Sequence, residues 1–169
     1  MKNIVLTGFM GSGKTAVGRE ISRILGWKMI DLDDEIVKAR GMSINEIFSK
    51  LGEPAFRDIE TEAIRKVAQH RNVVISTGGG AVLRQENMDL LRAMGVIVCL
   101  CVSAESVLGR TRNNSERPLL QVEDPLRRIR ELLEFRRPFY EKADIMIDTE
   151  GKSPFHIAEE ILERTGWKK

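Results

Sequence analysis

Residues 3–25 read NIVLTGFMGSGKTAVGREISRIL, and this stretch decides the fold. A strand-like run leads into a loop that matches the pattern G-x-x-x-x-G-K-[ST], and an amphipathic helical pattern follows. Small residues in such a loop let successive backbone N–H groups converge on phosphate oxygens, and the positive end of the helix adds to the attraction. Lys14 is expected to reach the β- and γ-phosphates, and the hydroxyl of Thr15 to bind Mg²⁺. The residues expected around the phosphates of a nucleoside triphosphate are Gly11, Ser12, Gly13, Lys14, Thr15 and Ala16.

In the rest of the chain, short runs of β-branched residues alternate with longer segments whose apolar residues recur with the period of a helix. This alternation indicates an α/β protein with a mostly parallel sheet. The predicted strands are 3–7, 28–31, 72–76, 96–102 and 144–148. The predicted helices are 14–25, 34–40, 44–51, 54–70, 86–94, 104–111, 125–141 and 154–165. Ser43 with Glu46 predicts a capping box, and Gly52 is expected to end a helix. We therefore expect one domain over 1–169, a five-stranded parallel sheet flanked by helices.

The composition excludes several classes of protein. The chain has 169 residues, 42% of them hydrophobic, and a net charge of +2, which suits one compact core and argues against a disordered chain or a dedicated nucleic-acid or membrane-surface binder. Cys99 and Cys101 lie in an apolar run and are interpreted as buried strand residues, because a disulfide between such close neighbours is strained. No apolar stretch reaches the ~20 residues of a membrane helix, and the N-terminus resembles no targeting segment. A cytoplasmic monomer is expected.

Two intervals do not fit a plain alternation of strands and helices. The second and third predicted strands are separated by about 40 residues with several helical pieces, more than one crossover helix needs. We interpret about 33–62 as an inserted unit that binds a ligand. A polar segment without periodicity, at about 112–124, follows a predicted helix. Near a phosphate site, such a loop is expected to be a mobile lid.

Paired acids follow the second predicted strand. Asp31 and Asp33 are two residues apart, so they share a face and can both point into the crevice where open α/β folds bind ligands. Asp31, nearer the sheet, suits a water-mediated contact to Mg²⁺, and Asp33 suits an acceptor hydroxyl as orienting partner or general base. Helix capping is the other interpretation of acids at this place, and we assign it to Asp34. The sequence has no guanine-reading motif after a strand, which favours a small-molecule kinase over a GTPase.

A set of motifs in fixed order carries a resemblance to one family. The motifs are the loop from Gly8 to Thr15, Asp31-x-Asp33, Phe56-Arg57-x-x-Glu60, Gly78-Gly79-Gly80, Arg117-Pro118-Leu119 and Arg136-x-Pro138-x-Tyr140. Through them, and over nearly its whole length, the chain resembles the shikimate kinase family. Like that family, it runs from the third predicted strand into the triple glycine without a plain Walker B aspartate. The resemblance implies a P-loop kinase fold similar to that of nucleoside monophosphate kinases, with ATP as co-substrate and Mg²⁺ as cofactor.

The resemblance also implies how the substrate, a small cyclohexene carboxylate with three hydroxyls, is held. Arg57 and Arg136 match the family's carboxylate-binding arginines, and a guanidinium fork can hold a carboxylate through two hydrogen bonds. Asp33 matches the residue that takes the ring hydroxyls, including the one that is phosphorylated. The backbone of Gly79 matches a further substrate contact, since a glycine there lets the main chain approach the ring.

Other residues match the family at the edges of this site. Arg117 matches the lid arginine that reaches the transferred phosphate. Arg110 resembles a residue on the adenine side, and the loop around Ser153 resembles the segment on the other side of the base. Phe48 and Phe56 would supply an apolar wall, with ordinary core packing as the equal alternative.

The function implied is transfer of the γ-phosphoryl group of ATP to the 3-hydroxyl group of shikimate, a step of chorismate and aromatic amino acid biosynthesis. Lys14, Mg²⁺ and Arg117 would neutralise charge, and Asp33 would act on the hydroxyl. The nearest alternative is another small-molecule kinase, acting on gluconate or a nucleotide. An ATP-binding regulatory module without turnover is the alternative from a different class.

Overall fold

The computed structural model describes residues 3–111 and 122–167. Its strands are β1 (Asn3–Gly8), β2 (Lys28–Asp31), β3 (Val73–Ser76), β4 (Gly95–Cys101) and β5 (Ile145–Asp148). They form one sheet in the order β2-β3-β1-β4-β5, and every neighbouring pair is parallel. The predicted five-stranded parallel sheet is therefore confirmed. Each predicted strand lies within one residue of the observed strand at either end.

Helices cover both faces of the sheet. Among the described residues they are α1 (Lys14–Leu25), α2 (Leu32–Arg40), α3 (Ile44–Val67), α4 (Gln85–Met94), α5 (Ala104–Thr111), α6 (Pro125–Tyr140) and α7 (Pro154–Thr165). A short 3₁₀ turn, Ala81–Leu83, was not predicted. It follows the triple glycine directly and so shapes one wall of the site described below.

The apolar side chains of the strands divide into two cores, one on each face. On one face, Ile4 of β1 belongs to the same buried cluster as Ile21 of α1 and Ile161 of α7. On the other face, Val5 belongs to a cluster with Ile64 of α3. Parallel strands covered on both faces read as continuous apolar runs, which explains why the strand positions could be predicted from the sequence.

Helix α3 is bent at Gly52, whose φ of 82° and ψ of 169° are not helical. This backbone conformation suits glycine, because a side chain at positive φ is strained. The predicted separate helices 44–51 and 54–70 are thus the two arms of α3, and the second arm ends at Val67 rather than at residue 70. Because of the bend, α3 packs against α2 on one side and carries polar side chains into the site on the other.

The predicted capping box at the start of α3 is confirmed. The amide of Ser43 donates to Glu46 Oε2 over 2.8 Å, and the amide of Glu46 donates to Ser43 Oγ over 3.2 Å. Two otherwise unpaired N–H groups are satisfied in this way.

The two irregular intervals have different outcomes. Residues 33–62 form most of α2 and the larger part of α3, between β2 and β3. Most of the predicted lid at about 112–124 lies outside the described residues. Within residues 3–111 and 122–167, no helix combines the length and the apolar character needed to cross a membrane.

Candidate active site

The glycine-rich loop lies at the carboxyl end of β1, where the strand order reverses between β3 and β4. Ligands of open α/β folds bind at such switch points. Gly13 precedes α1 in a left-handed conformation with φ of 95°, and no side chain caps the helix there. The first N–H groups of α1 are therefore available to an anion, which the helix dipole also favours.

Lys14 is folded across the loop. Its Nζ donates to the carbonyl oxygens of Gly8 and Phe9 over 2.8 and 2.9 Å. On the opposite side, Arg110 of α5 donates from Nη1 to the carbonyl of Gly11 over 2.9 Å. Ser12, within the loop, is buried. Two cationic side chains thus hold the loop through its carbonyl oxygens.

Thr15 and Asp31, the two residues predicted to hold Mg²⁺, meet at the side of the loop. The Thr15 hydroxyl donates to Asp31 Oδ2 over 3.1 Å, while Asp31 Oδ1 accepts from the amide of Asp33 over 3.1 Å. Asp31 is therefore the N-cap of α2. Asp34 is not the N-cap, because α2 begins at Leu32, two residues earlier than predicted. Asp34 lies in the first turn, where the helix dipole favours an acid as expected, and it is exposed.

These groups open onto a cleft of about 310 Å³ at the carboxyl ends of β1, β2 and β3. Its lining includes the glycine-rich loop, both acids after β2, and the segment that follows β3. The lining residues are Met10, Gly11, Gly13, Lys14, Thr15, Ala16, Asp31, Asp33, Ser76, Thr77, Gly78 and Gly79. The predicted phosphate-binding groups and the candidate base thus share one cavity.

Arg57 extends from α3 to the glycine segment 78–80. Its Nη1 donates to Glu60 Oε2 over 2.9 Å and its Nη2 to Glu53 Oε1 over 3.0 Å. A Cβ on Gly80 would lie 2.3 Å from Nη2, so the guanidinium packs directly against this backbone. Burial alone would lower the pKa of Arg57, but the attraction of Glu60 and Glu53 outweighs it and raises the pKa. The side chain is thus a buried, charged guanidinium.

Glu60 is a functional candidate that the sequence reasoning did not assign, although it belongs to the quoted Arg57 motif. It is 0% exposed. A Cβ on Gly78 would lie 2.8 Å from Glu60 Oε1 and 3.2 Å from Asp33 Oδ1, so the two carboxylates are near neighbours. Burial raises the pKa of Glu60, Arg57 opposes that rise, and Asp33 adds to it. Only a glycine at 78 leaves space for both acids.

Arg136 and Tyr140 approach the same segment from α6. Arg136 is 4% exposed, and its guanidinium carbon lies 5.4 Å from the centre of the Phe9 ring. Its Nη1 would be 3.4 Å from a Cβ on Gly79. One turn further on, the Tyr140 hydroxyl donates to the carbonyl of Gly79 over 2.6 Å. The structure therefore brings Arg57, Arg136 and Asp33 together around the triple glycine, and it adds Tyr140, to which the sequence reasoning had given no role.

The two phenylalanines pack against each other. The ring centres of Phe48 and Phe56 are 4.5 Å apart. Phe56 is 4% exposed and belongs to the core, and the Arg57 guanidinium carbon lies 5.2 Å from its ring centre. Core packing of Phe56 is thus observed, and a contact of either ring with substrate stays a prediction.

The predicted adenine side is built from α5 and the loop before α7. Ser153 is the N-cap of α7 and accepts from the amide of His156 over 3.3 Å. In the same loop, hydrogen bonds from Ser103 and Ser106 lower the pKa of Glu150, with a smaller contribution from Arg110. Arg110 and the loop of Ser153 are thus on one side of the site. Arg117 lies outside the described residues.

Tyr140 provides a prediction about stability. Burial raises its pKa to about 12, against a smaller opposing effect of Arg136, whereas an unfolded tyrosine titrates near pH ~10. Because the raised pKa belongs to the folded state, the stabilisation is complete below about pH 10 and is lost as the pH rises to about 12. The loss should reach roughly 2–3 kcal/mol.

Urea unfolding of the wild type and Tyr140→Phe between pH 9 and 12 measures this effect. We expect the wild-type midpoint to fall more steeply with pH than that of the variant. Parallel curves would contradict the assignment. Tyr140 is the chain's single tyrosine, so the tyrosinate absorbance of the folded wild type reports on this side chain alone.

Comparisons with known proteins agree with this geometry. The family model described as shikimate kinase matches residues 10–165. Shikimate kinase of Thermodesulfovibrio yellowstonii is 54% identical over 163 residues, which cover 96% of this chain and 94% of that protein. Shikimate kinase of Geobacter metallireducens is 47% identical over 167 residues, covering 99% of this chain and 92% of the other.

Solved structures give the same result. Shikimate kinase from Acinetobacter baumannii in complex with shikimate superposes with a TM-score of 0.94 at 38% identity, over 98% of this chain and 93% of that one. A gluconokinase from Sinorhizobium meliloti, with a TM-score of 0.58 and 18% identity over 96% of this chain and 90% of that one, shares the fold alone. With a family model and near full-length relatives in agreement with the cleft, the chain belongs to the shikimate kinase family.

Proposed function

We propose that the enzyme transfers the γ-phosphoryl group of ATP to the 3-hydroxyl group of shikimate. The observation that carries the proposal is the convergence of Arg57, Arg136 and Asp33 on the glycine segment beside the phosphate-binding loop. A carboxylated polyol needs cations at one end and a hydrogen-bond acceptor at the other. The site provides both next to the place where a triphosphate would bind.

On the substrate side, the two buried arginines bind the carboxylate. Arg57 comes from α3 and Arg136 from α6, so both helices are drawn against the ligand. The Tyr140 hydroxyl donates to the carbonyl oxygen of Gly79 over 2.6 Å and so positions this peptide. The peptide can approach the substrate ring because Gly79 has no side chain. The ring hydroxyls then face Asp33 in the cleft.

On the phosphate side, the uncapped start of α1 and Lys14 bind the phosphates of ATP. Mg²⁺ fits this site, because the Thr15 hydroxyl and the Asp31 carboxylate are oxygen ligands 3.1 Å apart and this ion takes one or two protein oxygens together with phosphates and waters. Thr15 and Asp31 would hold it. The ion supplies neutralisation of charge on the phosphate oxygens.

The chemical step needs positioning more than covalent work. The substrate hydroxyl gives its proton to Asp33 as its oxygen attacks the γ-phosphorus, and the bond to the β-phosphate oxygen breaks to release ADP. Lys14 neutralises charge on the phosphates. Arg117, which lies outside the described residues, has the same role in the proposal.

Two further parts of the proposal concern the setting of the enzyme. The described residues of a single chain bring the glycine-rich loop, Asp33 and both arginines together, so the proposal needs no second subunit and takes a monomer as the active unit. Cys99 and Cys101 are free thiols, as is usual in a reducing compartment, and this supports the cytoplasm as its location. The segment 33–62 is proposed as the substrate-binding unit of a single domain over 1–169.

Substrate-dependent release of ADP tests the function. Purified enzyme with Mg-ATP should form ADP quickly when shikimate is added, and slowly with gluconate, a nucleoside monophosphate or no acceptor. ADP formation with gluconate or a nucleotide instead would select the rival kinase. ATP binding without turnover on any acceptor would select the regulatory module.

Gly80→Ala gives a structural test of the substrate side. A Cβ at residue 80 would lie 2.3 Å from Arg57 Nη2, and the φ of −101° at Gly80 is accessible to alanine. The backbone can thus remain while the guanidinium must move, so we expect the KM for shikimate to rise about 10- to 100-fold. Steady-state kinetics measure this. Gly109→Ala is the control, because a Cβ there meets nothing within 4 Å; equal KM values for both variants would contradict the packing argument.

A further inference from the structure

Arg57 holds two carboxylates that differ in their surroundings. The side chain of Glu60 is 0% exposed, whereas that of Glu53 is 49% exposed. We propose that Glu53 stands in for the substrate carboxylate at Arg57 and is displaced when substrate binds. This inference rests on the proposed function and identifies a residue that weakens substrate affinity.

The packing around Arg57 decides which of its partners can leave. Glu60 lies on the inner side, where its Oε1 would be 2.8 Å from a Cβ on Gly78. Glu60 has no space in which to rotate away from Arg57, and such a rotation would leave its buried carboxylate without this ion pair. Glu53 instead lies at the start of the second arm of α3, directly after the bend at Gly52. A half-exposed side chain can rotate into water at little cost, because solvent replaces the lost ion pair.

Charge balance gives a second reason for the exchange. With both carboxylates in place, one guanidinium already faces two negative groups at 2.9 and 3.0 Å. A substrate carboxylate would be a third, and like charges in a mostly buried site repel strongly. If Glu53 leaves as substrate arrives, the number of carboxylates on Arg57 stays the same. Arg136 can then contribute its own charge to the ligand.

The exchange also supplies Arg57 with a partner before substrate arrives. Arg57 is only 9% exposed, so it needs acceptors for its N–H groups when no substrate is bound. Glu53 supplies one from the outer side. The consequence is a reduced apparent affinity, because part of the binding energy of the substrate is used to remove Glu53.

Isothermal titration of shikimate into the intact protein tests the proposal. Glu53→Gln removes the competing charge, and we expect Kd to fall about two- to fivefold, the range that a half-exposed ion pair allows. Glu62→Gln is the matched control. Its side chain lies on the same helix, is 47% exposed, and pairs with Arg40 and Lys66 instead. Kd should not change in this control, although the net charge changes equally.

Glu53→Asp separates contact from charge. The shorter side chain keeps the negative charge at the start of the helical arm but withdraws it from Arg57, so Kd should fall as in the glutamine variant. An unchanged or higher Kd in both Glu53 variants would overturn the proposal and make Glu53 an idle or a positioning residue. The proposed function fails separately, if wild type and Glu62→Gln show no shikimate-dependent ADP release.

Discussion

Asp33→Asn is expected to lower kcat about 100- to 10,000-fold, the range of a lost general base, with a much smaller change in the KM for ATP. Asparagine has nearly the same shape as aspartate but cannot take the proton of the attacking hydroxyl. Asp33 lines the cleft beside Lys14 and Thr15, and its Oδ1 lies close to Gly78. The change therefore removes proton transfer from the site while keeping its shape.

Asp34→Asn is the control for this experiment. Asp34 is the next residue in α2, it is exposed, and the variant has the same change in net charge. Its kcat should stay near that of the wild type. An Asp33→Asn enzyme with wild-type kcat would remove the base role and leave orientation of the hydroxyl as the function of the residue, since phosphoryl transfer through a loose transition state depends mainly on positioning.

Arg57→Ala is expected to have two large effects. Shikimate affinity should fall about 100-fold or more, since truncating one member of a buried charge pair costs 2–5 kcal/mol. Stability should also fall by roughly 3–5 kcal/mol, because Glu60 remains buried without its charged partner. Titration calorimetry measures the first effect and urea unfolding the second.

A double variant separates these two effects. Glu60→Gln in the Arg57→Ala background removes the buried charge, so much of the lost stability should return. Substrate affinity should not return, because the guanidinium is still absent. Recovery of affinity together with stability would show that Arg57 acts through the fold and does not bind the carboxylate.

The fold could be predicted well from local patterns. Apolar runs buried on both faces marked the strands to within one residue, and Ser43 with Glu46 marked the start of α3. The bend at Gly52 was predicted as a helix end, because a glycine after a periodic segment is compatible with either outcome. The start of α2 was predicted two residues late, so Asp31 is the N-cap and Asp34 lies within the first turn.

The substrate side depended more on the resemblance than on pattern. No periodicity indicates that Arg57, Arg136 and Asp33 converge, because they come from three different helices. The residues that complete the arrangement were missed for the same reason. Tyr140 bonds to Gly79 across 61 positions of the chain, and the burial of Glu60 beside Asp33 requires the space at Gly78.

The sequence alone was enough to predict the phosphate site, since the loop from Gly8 to Thr15 is contiguous and its conformation follows from glycine positions and the helix that begins at Lys14. It was also enough to predict that Thr15 and Asp31 hold the same ion. Only the tertiary structure decided which carboxylate on Arg57 is buried and which is half-exposed. The physical reason is that burial depends on packing between distant segments, whereas the phosphate loop is shaped by its own backbone.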